Sequence, residues 1–84
     1  MAEEKKIGEI AHFFSKINVA AVKLTGGLTV GDTIHIKGHT TDFEHTIDSI
    51  QIEHDSVQKA GKGDDIGIKV KDHVRVGDEV FLKT

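Results

Sequence analysis

The chain has 84 residues, enough for one small domain and too few for a GTPase, a kinase or a two-domain dehydrogenase. It has no Cys, which excludes disulfides, thiolate zinc sites, iron–sulfur clusters and a Cys nucleophile. Eleven Lys and Arg against 14 Asp and Glu give a net charge of −3, without the basic excess of a protein that binds nucleic acid through phosphate contacts alone.

The β-branched residues are the informative count, with 10 Ile, 8 Val and 7 Thr against 3 Leu and 5 Ala. Stiff β-branched side chains suit a pleated surface, so the composition predicts an all-β domain. In chain order, residues 1–6 form a charged start that reads as a disordered polar tail, with no secretory signal following it. Residues 7–84 form the single domain. The longest uninterrupted apolar stretch, Val19 to Val22, is far short of the roughly 20 residues of a membrane helix, so the expected location is cytoplasmic with no membrane partner.

Strands are predicted from Ile7 to Phe14 and from Ile17 to Leu24, joined through Ser15-Lys16 as a hairpin. Thr25-Gly26-Gly27 makes a turn. Thr33 to Lys37 alternates cleanly, with Ile34 and Ile36 on one face. A longer strand is expected from Phe43 to His54, with a bulge near Asp48-Ser49 where the apolar parity switches. Val57 to Asp65 reads as a loop rich in Gly and Lys. Ile66, Ile68 and Val70 alternate as a strand, and the last strand runs near Glu79 to Lys83. Six or seven short strands point to a small closed antiparallel β-barrel, because closure removes exposed edges.

An internal echo supports this reading. Leu28-Thr29-Val30-Gly31-Asp32-Thr33-Ile34 and Val74-Arg75-Val76-Gly77-Asp78-Glu79-Val80 share the form apolar-x-Val-Gly-Asp-x-apolar. Gly31 and Gly77 can take positive φ in a tight turn, and Asp32 or Asp78 can accept from turn amides. These read as two equivalent corners of one barrel.

The first of these corners resembles one in the second, β-barrel domain of translational GTPases such as elongation factor Tu and initiation factor two. Ala60, Gly63, Asp64, Ile66 and Gly67 are similar to a second marker of that domain, and Val76-Gly77-Asp78-Glu79-Val80 lies near its closing strand. The resemblance covers Ile7 to Thr84 and is strongest to small translation elongation factor-like proteins consisting of this barrel alone. A similar barrel also occurs as a C-terminal domain in the collagenase-like peptidase family, whose members include RNA-modification factors. The resemblance implies a non-catalytic module that docks onto tRNA, ribosomal RNA or a translation or RNA-modification protein. The alternative is a protein–protein adaptor without a nucleic-acid role. By alignment, Gln51 takes the acidic position of the wall that holds the aminoacyl end of tRNA, His54 a basic one, and Asp65 the place of an Asn.

No Gly-x-x-x-x-Gly-Lys-Ser/Thr is present, so no GTP and no other cofactor is expected; Gly61-Lys62-Gly63 lacks the loop length and the following hydroxyl. The six His show no ligand pair at strand spacing, and Ser15, Ser49 and Ser56 lie outside any nucleophile-elbow context, so neither a metal site nor an enzyme is expected. Phe13-Phe14 is the only aromatic pair, and on a strand one ring enters the core while the other faces out. The outward ring, beside Lys16 and His12, is a partner-stacking platform or a cap on the barrel. Lys59, Lys62, Lys69, Lys71 and Arg75 form a locally basic stretch, either a phosphate-contacting patch or a solvated face interleaved with carboxylates.

Overall fold

The computed structural model describes residues 4–53 and 55–83. Among these residues ten strands follow one another: β1 (Glu4–Phe14), β2 (Val19–Leu24), β3 (Leu28–Thr29), β4 (Thr33–Lys37), β5 (Asp42–Thr46), β6 (Ile50–Ile52), β7 (Asp55–Val57), β8 (Lys59–Ala60), β9 (Asp65–Lys69) and β10 (Glu79–Lys83). Eight form one sheet in the order β5-β4-β10-β1-β2-β9-β6-β7, and β3 pairs with β8 as a separate ribbon. Every ladder is antiparallel. Among the described residues no helix is long and apolar enough to cross a membrane.

The all-β antiparallel expectation holds, but the closed six- to seven-stranded barrel does not: among the described residues no ladder joins β5 to β7. Both edge strands are short and carry carboxylates, Asp42 and Glu44 on β5 and Asp55 on β7, a composition that discourages further pairing. The single long strand expected from Phe43 to His54 is also corrected. The parity switch marks a crossover rather than a bulge, since residues 47–49 leave β5 on one edge and deliver β6 beside β9 near the other. The loop expected over Val57 to Asp65 contains β8. The polar start joins the sheet from Glu4, with Glu4, Lys5 and Lys6 opposite Lys83, Leu82 and Phe81, while residues 1–3 lie outside the described part. Between β1 and β2 the chain turns through Ser15–Asn18, and Asn18 supplies the positive φ of 53° that a hairpin of this length needs.

The core contains fifteen buried apolar side chains, of which eight are Ile and four Val. They come from the inward positions of β1, β2, β4, β6, β9 and β10, together with Leu28, Ile47, Val70 and Val74. The β-branched excess in the sequence is thus spent on one interior.

Three turns of one design tie the strands to this core. In Thr29–Asp32, Gly61–Asp64 and Arg75–Asp78 the fourth residue's N–H donates to the first residue's carbonyl, at 3.0, 3.0 and 3.1 Å. The third residue is Gly with φ of 99°, 91° or 93°. The closing Asp carboxylate accepts from the first residue's N–H at 2.9 Å in all three. These are type II turns with an aspartate lock. Each then grips the backbone of one buried residue with two bonds. Gly31 N–H donates to the Ile47 carbonyl and Ile47 N–H to the Asp32 carbonyl, at 2.9 and 2.8 Å. Gly77 and Asp78 grip Ile10 at 2.9 and 2.8 Å, and Gly63 and Asp64 grip Leu24 at 3.0 and 2.9 Å. The Val-Gly-Asp echo therefore has a third member, Lys62-Gly63-Asp64.

A side chain at positive φ costs on the order of 1–2 kcal/mol, so Gly31→Ala, Gly63→Ala and Gly77→Ala should each lower unfolding free energy by about that amount in urea titrations. Gly61 lies in the same turn as Gly63 with open space around its α-carbon and no positive φ, so Gly61→Ala should stay within about 0.5 kcal/mol of the parent. Equal losses for the Gly61 and Gly63 variants would contradict the turn assignment.

Candidate functional site

The two outer faces of the sheet differ in how their polar groups are satisfied. Across β1, β10, β4 and β5 the outward residues form a charged band. Lys6 bridges Glu9 at 3.0 Å and Glu79 at 3.1 Å, and Lys83 pairs with Glu44. At the centre lies His35 on β4, largely covered, with Nδ1 2.6 Å from Glu4 Oε2 on β1 and Nε2 hydrogen-bonded to Asp42 on β5. With a carboxylate at each ring nitrogen, the protonated imidazole can donate from both, an arrangement that favours the cation. Asp42 first and Glu4 second raise its pKa above the ordinary 6.5, and the His35 hydrogen bond in turn holds the Asp42 carboxyl below its usual range. His35 meets two carboxylates and no hydroxyl, so this constellation is a strap across the sheet rather than a nucleophile–base pair. His45 differs: burial lowers its pKa, and its Nε2 has no partner among the described residues.

Across β1, β2, β9 and β6 the outer face is a groove. Register places His12, Ala21, Gly67, Gln51 and Ser56 in one row over five strands, and Phe14, Val19 and Lys69 in the next. Two small residues, Ala21 and Gly67, therefore lie side by side mid-face and leave a depression of about 400 Å³. Phe14, Ile17, Val19 and the rim of Ile66 supply its apolar wall, and Gln51, Glu53 and Asp65 its polar one. Phe14 is 47% exposed and Ile17 60%, and the His12 ring lies 4.5 Å from that of Phe14. Neither Glu53 nor Asp65 has an ion-pair partner among the described residues. The only two non-glycine residues with positive φ among those described, Asn18 and Glu53, lie beside this groove. A left-handed Glu costs about 1 kcal/mol or more of backbone strain.

Of the residues singled out from sequence, Phe14, Gln51 and Asp65 meet in this groove. Phe13 points the other way, packs against the core and meets His73 edge-on at 4.8 Å. Lys16 is exposed in the β1–β2 turn, and Lys62 is exposed in the Gly61–Asp64 turn. Lys69 ends β9 and Lys71 follows it, both exposed. Arg75 opens the third turn and lines a separate cleft with Asp42 and Asp72. His54 lies outside the described residues. Ile17 and Glu53 were missed; the sole sequence signal for Ile17 was a large apolar residue next to a turn. Among the described residues no group of three or more His, Asp or Glu is placed to hold a metal ion.

No known protein-family model matches the chain. Over 78 residues, 92% of its length, it is 42% identical to a Methanocaldococcus jannaschii protein named an uncharacterized protease. Over 77 residues, 89% of its length, it is 36% identical to a collagenase of Porphyromonas gingivalis. The matched stretch is 19% and 21% of those proteins, so the chain spans about a fifth of the curated relatives it matches. Two crystal structures of the C-terminal domain of a candidate U32 peptidase from Geobacillus thermoleovorans share the fold. Their TM-scores are 0.86 and 0.89 at 18% and 17% identity, over 90% and 95% of this chain and 96% and 93% of theirs. These findings overturn the translation-factor resemblance. The Gly-Asp corners report a turn geometry that different proteins use, and the whole-chain similarity runs to proteins named protease and collagenase. The expected translation-factor-like module that docks onto RNA falls with that resemblance.

The His35 strap makes stability depend on pH from both sides. Its imidazolium contribution is complete below the ordinary imidazole range and is lost as pH rises through the raised folded value. The Asp42 contribution is complete above the ordinary carboxylate range and is lost as pH falls through the lowered folded value. His35→Gln should therefore destabilise the fold most near pH 5.5 and least near pH 9, and the His35 ring protons should titrate above 6.5 in NMR. A stability difference independent of pH, or titration below 6.5, would remove the strap.

Proposed function

We propose that the chain is a non-catalytic accessory domain of the kind that ends U32-type peptidases, and that it holds polypeptide for a catalytic chain. The observation that carries this reading is the reach of the similarity. Nearly all of this chain matches about a fifth of proteins named protease and collagenase. A segment of that size accompanies a much larger body, and the polypeptide ligand is inferred from those names.

The geometry supports a holding role over a cleaving one. His35 is neutralised by two carboxylates, and the charged band satisfies itself internally. Among the described residues the groove offers apolar contact and carboxylates without ion pairs, and no hydroxyl or thiol lines it, which suits recognition of a chain segment.

The reading is tested by separating binding from turnover. The isolated chain should release no fragments from fluorescence-quenched casein or gelatin, while the immobilised chain retains their peptides. Swapped for the matching fifth of the Porphyromonas gingivalis collagenase, it should move KM more than kcat. Hydrolysis by the isolated chain that a point variant abolishes would overturn the non-catalytic assignment.

A further inference from the structure

We infer that the groove between β1–β2 and β9–β6 takes a basic–apolar polypeptide segment, one bulky aliphatic or aromatic side chain with a Lys or Arg beside it. This deepens the polypeptide-holding reading above and rests on it.

Two observations choose the occupant. The floor is set by Ala21 and Gly67, and Phe14, Ile17 and Val19 wall it, so an apolar side chain seated there covers apolar surface now open to water. The polar wall is one-signed: Glu53 and Asp65 line the groove, and no cation does among the described residues. Both carboxylates also lack ion-pair partners, whereas Glu4, Glu9, Asp42, Glu44 and Glu79 on the opposite face are all paired. An incoming cation thus meets two carboxylates that hold no ion pair, Asp65 standing opposite Lys23 on β2 without bridging it, and an acidic segment or a nucleic-acid phosphate is repelled.

Gly67 provides a variant that closes the groove without damaging the fold. A Cβ there would meet only Val19 Cγ1, at 3.4 Å, an ordinary contact, and its φ is not positive. Gly67→Val should fold, since a β-branched residue suits a strand.

The experiment uses terminally blocked hexapeptides with one Leu or Phe flanked by Lys, followed by amide chemical shifts of the labelled chain. Ala21, Gln51 and Gly67 should shift, saturably. Gly67→Val should weaken binding about tenfold or more. Glu53→Gln and Asp65→Asn should each weaken it about two- to fivefold at low salt, and less at high salt. Peptides with Glu in place of Lys, and a single-stranded RNA hexamer, should leave these amides unmoved. The proposal is overturned if the Glu peptides or the RNA occupy the groove equally well, if shifts map elsewhere, or if well-folded Gly67→Val binds as before. The accessory-domain reading fails separately: a basic–apolar peptide seated in the groove of a chain that leaves KM unaltered in the collagenase swap sinks that reading and leaves this one standing.

Discussion

Each of the three Gly–Asp turns holds one buried residue's backbone with a reciprocal pair of hydrogen bonds, and the strand registers follow from that. The Gly63–Asp64 pair grips Leu24 at the end of β2, where β9 begins, so the β2·β9 ladder starts with Lys23 opposite Asp65. Counting along that ladder places Ala21 opposite Gly67 and so creates the groove floor. Gly77–Asp78 grips Ile10 and aligns β10 on β1, and Gly31–Asp32 grips Ile47 where β5 ends, opposite the start of β4. A slip of one residue would turn a strand's core face to solvent, so these few bonds protect several kcal/mol of apolar burial each. The hydrogen bonds themselves contribute only about 1 kcal/mol apiece, so their weight lies in the choice of register.

From that register the two outer faces diverge. On one, alternation brings Lys6, His35 and Lys83 against Glu9, Glu79, Glu4, Asp42 and Glu44, so that five carboxylates share three cations across β1, β10, β4 and β5 and every one of them is paired. Such a face is satisfied and has little to offer a partner. On the other, small residues meet small residues, aromatic and aliphatic side chains stay exposed, and two carboxylates hold no ion pair among the described residues. The chain's −3 charge is thus unevenly used, and its free acidic groups at the groove favour a cationic ligand.

Much of the fold was legible in the residues. Alternation located β4 and β9, the last strand was placed at β10, and the β-branched excess identified an all-β core. The Val-Gly-Asp echo located two of the three turns. The third was hidden because Lys62 replaces the Val, and because Gly-Lys-Gly draws attention as a phosphate-loop fragment. The strand after Phe43 was misjoined because a parity switch looks the same for a bulge and for a crossover. Barrel closure was not legible, since it depends on whether short charged edges meet. At the site, Phe14 was singled out by the period of two along a strand, and Gln51 and Asp65 only through a resemblance carried by turn geometry. What makes the groove, Ala21 and Gly67 side by side, is a cross-strand fact that neither residue shows in its own segment.

The account rests on the turns acting as separate register clamps, and amide hydrogen exchange of Asp64→Ala tests this most directly. Exchange should quicken at Leu24 and Gly63 and along the β2·β9 ladder, including Gly67, while Ile10 and Ile47 keep their protection. Uniform acceleration at all three clamped residues, or none at Leu24, would contradict it.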